Sequence, residues 1–141
     1  MGDLDALLRL YEQLSPGNSG ADRMSSVVAL EAILGSPGVT LLVADEGGVV
    51  GTATLVVVPN LTHGAKPWAQ LENMVIDVSV RGSGAGRLLI EECLRTAREA
   101  GCYKVQLQSG NQRRSAENDA HGFYEHLGFA ASSVGFRYYF D

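Results

Sequence analysis

Three glycines between an apolar run and a helical pattern constrain the fold more than any other feature of this chain. The apolar run at residues 71–80 predicts a strand, and the pattern at residues 88–100 predicts an amphipathic helix. Glycine lacks a Cβ and accepts positive φ, so the backbone between them can turn sharply and bring its N–H groups close to a ligand oxygen. The helix start adds unpaired N–H donors and the positive end of the helix dipole. Residues 81–87 are therefore predicted to bind an anion, most naturally a phosphate.

The spacing of these glycines excludes two common phosphate-binding loops. A dinucleotide-binding loop requires Gly-x-Gly-x-x-Gly, but counting from Gly82 places Arg87 where the third glycine belongs. A P-loop requires Gly-Lys-Ser or Gly-Lys-Thr, and the sequence contains neither. The remaining pattern is Arg-x-x-Gly-x-Gly, which begins at Arg81.

Two segments resemble the signatures of one protein family. The pattern Arg-x-x-Gly-x-Gly, after a strand that carries Glu72, resembles the pyrophosphate-binding loop of the GNAT superfamily of acetyl-CoA-dependent N-acetyltransferases. Residues 120–129, Ala-His-Gly-Phe-Tyr-Glu-His-Leu-Gly-Phe, resemble the other signature of that superfamily, a helix followed by a strand. Two signatures in the expected order are much harder to explain by chance than one. The resemblance covers the chain from residue 39 onward and implies acetyl-CoA as the acetyl donor.

The chain is expected to form an α+β fold, with a central mixed, mostly antiparallel sheet and helices on both faces, in a single domain of residues 1–141. One helix is predicted to begin after Asp3 as its N-cap. Two more are predicted at residues 27–34 and 88–100, and the last is predicted to begin near Asp119. Strands are predicted at residues 39–44, 49–58, 69–78, 103–108, 129–132 and 136–140. The strands flanking the glycine turn should be parallel, and residues 45–48 should turn an antiparallel hairpin. Superfamily members usually begin with a further strand, so either the sheet lacks that strand or the assigned start is late.

Composition excludes several classes of partner. The 45% apolar content argues against disorder, and the net charge of -5 with only 11 lysines and arginines argues against nucleic acid. The absence of an apolar run of about 18 residues and of a secretory leader predicts no membrane partner and a cytoplasmic location. Cys93 and Cys102 lack zinc-binding spacing, so both are interpreted as reduced packing residues and no metal is expected. The aromatic residues 136–140 are a candidate surface for a homodimer.

Acetyl transfer to an amine requires a proton acceptor, because an alkyl amine with a pKa of about 10.4 is protonated at pH 7. The resemblance implies Glu72 for this role, directly or through water, with Asp77 as a second candidate; the alternative for Glu72 is a solvated strand-end carboxylate. The resemblance implies Tyr124 as a hydrogen-bond donor to the departing thiolate. A phenol is a poor acid toward a thiolate, so general-acid catalysis would require perturbed pKa values. The alternative for Tyr124 is an ordinary helix residue with a packed ring and a hydrated hydroxyl.

The resemblance also implies which residues bind the donor. The pantetheine arm would lie along the strand before the loop, pairing with backbone groups of Met74, Val75 and Ile76. The diphosphate would be bound by the loop and the helix start, which comprise Arg81, Gly82, Ser83, Gly84, Ala85, Gly86 and Arg87. Many members contact the donor through an asparagine, but the equivalent place here is Glu117, with Asn118 beside it.

The acceptor is expected to be a primary amine of a small molecule, acetylated by direct attack in a ternary complex without a covalent enzyme intermediate. The first two helices and residues 59–67 are predicted to shape its site, with His63, Lys66 and the adjacent Trp68 as candidate contacts. Two alternatives remain open from the sequence. One is a CoA-binding module that regulates without turnover, and the other is an acetyltransferase for protein or peptide amino groups.

Overall fold

The computed structural model describes residues 2–17, 21–109 and 120–140. The chain divides into two compact units, residues 1–107 and residues 108–141. In chain order the first unit contains α1 (Leu4–Leu14), α2 (Arg23–Leu34), β1 (Val39–Asp45), β2 (Val49–Val58), the short helical segment α3 (Thr62–Ala65), β3 (Trp68–Ile76), a 3-10 turn (Val78–Val80), α4 (Ala85–Glu99) and β4 (Val105–Leu107). The second unit contains α5 (Ala120–His126).

The first two helices pack one apolar cluster against the sheet. Leu4 and Leu7 of α1 are buried with Leu30 of α2, and Leu41 of β1 packs against them. This cluster follows from the helical spacing of the leucines, which places them on one face of each helix.

The two helices differ in how they begin. The predicted cap of α1 is wrong, because the Asp3 side chain makes no capping hydrogen bond. Helix α2 begins at Arg23, well before the predicted residue 27, because Asp22 accepts a hydrogen bond from Ser25 N–H at 3.0 Å. A carboxylate at this position satisfies an N–H group that has no partner within the helix.

The described strands form one sheet in the order β1-β2-β3-β4. Strand β2 pairs antiparallel with β1 and β3, whereas β3 pairs parallel with β4. The hairpin between β1 and β2 closes at the predicted place, where Gly48 N–H donates to Asp45 Oδ1 at 2.9 Å. The predicted mixed, mostly antiparallel sheet is therefore confirmed.

Helix α4 connects the parallel pair and covers the sheet with a narrow apolar stripe. Its buried side chains are those of Ala85, Leu89, Ile90, Cys93 and Ala97, all with 4% or less of their surface exposed. Gly101 follows the helix with φ of 82° and ends it, as predicted.

Four of the predicted strands differ in the structure. Strand β3 ends at Ile76, because Asp77 bends away and caps the 3-10 turn by accepting from Ser79 N–H at 2.9 Å. Strand β4 is shorter than predicted, at Val105–Leu107. Residues 129–132 and 136–140 form no strand. A β-rich pattern describes side chains, but a strand also needs a partner for its backbone groups.

The second unit is described around α5. Phe129 N–H donates to Tyr124 O at 3.0 Å, and Gly128 has φ of 97°, so the helix ends at the predicted glycine. The predicted start near Asp119 lies outside the described residues. Among the residues described in both units, no helix is long and apolar enough to cross a membrane.

Candidate active site

The glycine turn has the open, left-handed backbone that its sequence predicts. Gly82 and Gly84 have φ of 86° and 90°, and the turn closes with a hydrogen bond from Ser83 N–H to Val80 O at 3.1 Å. A Cβ built on either glycine would meet no atom within 4 Å. The glycines are therefore required by backbone conformation, and the space in front of them is free for a ligand.

The start of α4 presents a group of unpaired backbone donors. The first helical hydrogen bond runs from Leu88 N–H to Gly84 O at 3.1 Å, and Ser83 Oγ accepts weakly from Ala85 N–H at 3.4 Å. Among the described residues, no acceptor contacts the N–H groups of Gly84, Gly86 and Arg87. The first turn of α4 carries no acidic residue. This donor set and its positive dipole end match the needs of a diphosphate.

Two arginines flank the turn and are differently engaged. Arg81 is exposed, and its Nε donates to Ile76 O at 3.4 Å. Arg87 pairs with Glu91 one turn along α4, with Nε 2.9 Å from Oε1. Both members of that pair are at least half exposed, so the pair contributes little to stability and leaves Arg87 able to change partner.

Strand β3 continues past the end of its pairing with β4. The two strands pair only from Ala69 to Leu71, so in the described structure β4 pairs with no later residue of β3. A bulge follows at once, since the register with β2 shifts between Thr52 and Thr54 and Asn73 has φ of 51°. Among the described residues, no strand pairs with the second half of β3 along this edge, which is called the free edge below.

The bulge changes which backbone groups face that free edge. Before it, Ala69 N–H donates to Lys104 O at 3.0 Å, on the β4 side; after it, Asp77 N–H donates to Val50 O at 2.7 Å, on the β2 side. Alternate residues of an extended strand direct their N–H groups to opposite edges. Met74 and Ile76 therefore direct theirs to the free edge, where an extended ligand can pair with them. By the same alternation Val75 faces β2, and its side chain is buried.

An amide relay holds the Glu72 carboxylate. Gln70 Nε2 donates to Glu72 Oε1 at 3.0 Å, and Gln106 Nε2 on β4 donates to Gln70 Oε1 at 2.9 Å. Glu72 is exposed, and in the described part of the chain its Oε2 receives no hydrogen bond. The sequence analysis missed both glutamines; the two-residue spacing of Gln70 and Glu72 places them on one face of the strand, but no spacing indicates Gln106 on β4.

Asp77, the second candidate base, is committed elsewhere. Hydrogen bonds from the backbone N–H and the hydroxyl of Ser79 hold the pKa of Asp77 below its usual value. A carboxylate stabilised in its charged form is a poor proton acceptor. Asp77 is therefore the weaker of the two candidates, and the role of Glu72 as proton acceptor stays a prediction.

Neither cysteine has the environment of a nucleophile. Burial raises the pKa of the Cys93 thiol to about 11, and it also raises the pKa of Cys102. A thiol that stays protonated at neutral pH does not attack a thioester efficiently. The absence of a covalent enzyme intermediate stays a prediction.

A cavity of about 300 Å³ lies between the first two helices and the bulge of β3. It is lined by Leu8, Tyr11, Leu14, Ser15, Ala21, Ser26 and Asn73. The first two helices were predicted to shape the acceptor site, and they line this cavity. Residues 59–67 do not line it.

The candidate contacts of the 59–67 loop form a separate cluster. His63 stacks on Tyr103 with ring centroids 4.0 Å apart, and the Lys104 ammonium lies 5.6 Å from the Trp68 ring centroid. These residues lie where β3 and β4 begin, whereas the glycine turn follows the end of β3. Among the residues described in the structure, no group of three His, Cys, Asp or Glu side chains could hold a metal ion.

Tyr124 lies in the second unit, on α5. Its ring makes edge contacts with Phe123 and Phe129, with centroids 5.2 and 5.8 Å apart. These contacts fix the ring through its helix and the following residue. The role of Tyr124 toward a thiolate stays a prediction, and Glu117 and Asn118 lie outside the described residues.

Residues 4–129 match the family model described as Acetyltransferase (GNAT) family. The chain therefore belongs to the GNAT acetyltransferases, whose acetyl donor is acetyl-CoA. This finding confirms the family that the two sequence signatures suggested. The glycine turn, the unpaired amides and the free edge of β3 are the features of this structure that fit such a donor.

Several known proteins are similar to this chain. Glucosamine 6-phosphate N-acetyltransferase of Trypanosoma brucei brucei is 39% identical over 85 residues, which are 60% of this chain and 53% of that protein. The aligned part of this chain thus spans about half the length of that relative. A solved protein from Agrobacterium tumefaciens str. C58, described as an acetyltransferase, is 40% identical with a TM-score of 0.90, covering 98% of this chain and 94% of the other. A transcriptional regulator from Bacillus halodurans C-125 is 30% identical with a TM-score of 0.88, covering 99% and 94%.

Proposed function

We propose that this protein transfers the acetyl group of acetyl-CoA to the primary amine of a small molecule, by direct attack of the amine in a ternary complex. The observation that carries the proposal is the set of unpaired N–H groups at the start of α4, directly after the free edge of β3. A relative named for glucosamine 6-phosphate supports a small-molecule acceptor.

Acetyl-CoA supplies an acetyl group activated as a thioester. The N–H groups of Gly84, Gly86 and Arg87 would bind its diphosphate, because they lack acceptors within the described structure and point from a positive helix end. The Met74 and Ile76 N–H groups would bind the pantetheine arm as a neighbouring strand, with Met74 placed to donate to the thioester oxygen. Arg81 would add a positive charge beside the diphosphate.

Glu72 would accept the proton that the amine loses as the new C–N bond forms and the C–S bond breaks. The relay from Gln70 and Gln106 engages one carboxylate oxygen and orients the group. The other oxygen faces the amine directly or through a water molecule. Tyr124 would donate a hydrogen bond to the departing thiolate, which lowers the cost of its charge.

A matched pair of variants tests the donor site. Gly84→Asp places a carboxylate at the start of α4, and Gly101→Asp places one beyond its end; both positions have positive φ, near 90° and 82°. The backbone strain is therefore similar in the two variants. Calorimetry should show acetyl-CoA binding abolished in Gly84→Asp and retained in Gly101→Asp. Undiminished binding by folded Gly84→Asp would remove the turn from the donor site.

An assay of thiol release distinguishes the proposed function from two alternatives. A broad amine panel with thiol detection should show release of free CoA if the protein is an enzyme for small molecules. A regulatory CoA-binding module would bind acetyl-CoA but release no thiol with any acceptor. A protein acetyltransferase would respond to peptides and not to small amines.

A further inference from the structure

The segment between β3 and α4 is held by hydrogen bonds more than by burial. Residues 78–84 carry no buried side chain, and Val78 is 63% exposed. Burial resumes at Ala85, the first residue of α4, which is 4% exposed. An exposed segment has few packing contacts to fix its backbone. The direction in which the chain enters the glycine turn therefore depends on polar contacts.

Several of these polar contacts lie within the segment itself. Val80 N–H donates to Asp77 O at 3.1 Å, and Ser83 N–H donates to Val80 O at 3.1 Å. Asp77 Oδ1 accepts from the backbone N–H and from the hydroxyl of Ser79, both at 2.9 Å. Such local bonds shape the segment, but they do not fix its position relative to the helices and the sheet.

One contact joins the segment to α1. Val78 N–H donates to Gln13 Oε1 at 3.0 Å, across 65 positions of sequence. In the described part of the chain, the other hydrogen bonds of residues 78–84 are with Asp77, β3, α4 or each other. Gln13 lies in the last turn of α1, three residues after Leu10, which is 1% exposed. The contact therefore ties an exposed segment to a helix that is anchored in the core.

A side-chain amide suits this position because it carries both an acceptor and a donor. Its oxygen accepts from Val78 N–H. The N–H and hydroxyl groups of Ser79 contribute most to holding the pKa of Asp77 below its usual value, and the Gln13 side chain and the Arg9 charge add to their effect. A carboxylate at residue 13 could accept but not donate, and it would repel Asp77.

We infer that Gln13 is a positioning residue for the donor, because it ties the residues before the glycine turn to α1 and holds the turn in the conformation that receives the diphosphate. The inference rests on the proposed donor site and goes beyond it by making α1 part of its support. Without this contact, the turn occupies the receptive conformation for a smaller fraction of the time. The apparent affinity for the donor falls by that fraction.

An exchange of side chains tests this role. Gln13→Leu removes both the donor and the acceptor, and Gln13→Glu places a second carboxylate beside Asp77. Calorimetry with dephospho-CoA, which retains the diphosphate, should show each variant binding at least about fivefold more weakly than the wild type. The double variant Gln13→Glu with Asp77→Asn exchanges the amide and the carboxylate. It should restore the affinity to within about twofold of the wild type, because a donor again faces an acceptor.

Asp22→Ala is the matched control for lost stability. It removes a hydrogen bond of the same kind and length, from Ser25 N–H to a side-chain oxygen at 3.0 Å, at the start of α2. It should lower the melting temperature without weakening the binding of dephospho-CoA. An equal loss of affinity in Asp22→Ala and Gln13→Leu would overturn the inference, because lost stability would then explain both.

Failure of the inference is distinguishable from failure of the donor site. If Gly84→Asp abolishes binding of dephospho-CoA and both Gln13 variants bind it like the wild type, the donor site stands and the inference is overturned. A double variant that binds no better than Gln13→Glu also overturns it. If Gly84→Asp binds like the wild type, the proposed donor site fails and the inference falls with it. Circular dichroism checks folding, and if Gln13→Leu is unfolded, the comparison of Gln13→Glu with the double variant decides.

Discussion

At the scale of single residues, Glu72 is distinguished from an ordinary surface carboxylate by the relay from Gln70 and Gln106. Gln70→Leu removes the hydrogen bond to Glu72 with little change in size. We expect kcat/KM to fall about tenfold, because Glu72 loses the contact that orients its carboxylate, and a misplaced catalytic group loses rate. Acetyl-CoA affinity should not change. Gln106→Leu changes a residue one step further from Glu72 and should cause a smaller fall in kcat/KM. Steady-state kinetics of the wild type and the two variants measure both effects. If both variants matched the wild type, the relay would be contradicted.

Tyr124 is the second residue whose role can be separated from packing. Tyr124→Phe keeps the ring that contacts Phe123 and Phe129 and removes only the hydroxyl. Turnover should fall at least about tenfold if the hydroxyl stabilises the thiolate, with acetyl-CoA affinity unchanged. Tyr139→Phe, at a residue 78% exposed, is the matched control. Equal turnover in the two variants would remove Tyr124 from the mechanism.

At the scale of elements, the start of α2 allows a comparison with α1. Asp22 caps its helix and Asp3 does not, so Asp22→Ala should lower the melting temperature by roughly 3–5 °C and Asp3→Ala by much less. Hydrogen bonds from Ser25 hold the pKa of Asp22 below the usual value of 3.8. The stabilisation is therefore present above pH 3.8 and is lost as the pH falls through the lower folded-state pKa. Thermal melts at pH 7 and at several pH values below 3.8 check both parts, and a difference that does not decline as the pH falls would contradict the cap.

The sequence predicted elements whose signal is local and missed features that depend on partners. The α4 stripe and the hairpin turn follow from residue spacing and from glycine and aspartate at a turn, so both appear where expected. The bulge at Asn73 and the short pairing of β3 with β4 depend on contacts between strands, which apolar periodicity does not report. The same holds for residues 136–140, whose alternation resembles a strand that the described structure does not contain.

The candidate site was predictable to the same extent. The glycine turn is encoded locally, because Gly82 and Gly84 adopt positive φ and glycine tolerates this conformation without a steric penalty. The glutamine relay joins two strands that are distant in sequence, and the cavity joins two helices to a bulge. Neither could be read from spacing along one element.

At the scale of the whole molecule, an acidic chain is proposed to bind a strongly anionic donor. The net charge of -5 opposes that binding at long range, so the attraction must be local. Backbone N–H groups at a helix start provide such an attraction without adding to the net charge. When the donor binds, contacts with its diphosphate should therefore stabilise the folded protein more than contacts with its pantetheine arm.

Thermal melts with fragments of the donor test this division. A ligand at 100 times its Kd stabilises the folded state by about 2.7 kcal/mol, which corresponds to a rise of roughly 5–10 °C in melting temperature for a protein of this size. Dephospho-CoA retains the diphosphate and should produce most of this rise. Pantetheine at the same concentration lacks the diphosphate and should produce little, and Gly84→Asp should abolish the response to dephospho-CoA. If pantetheine stabilised the protein as strongly as dephospho-CoA, the free edge of β3 would carry the binding and the turn at residues 81–87 would not.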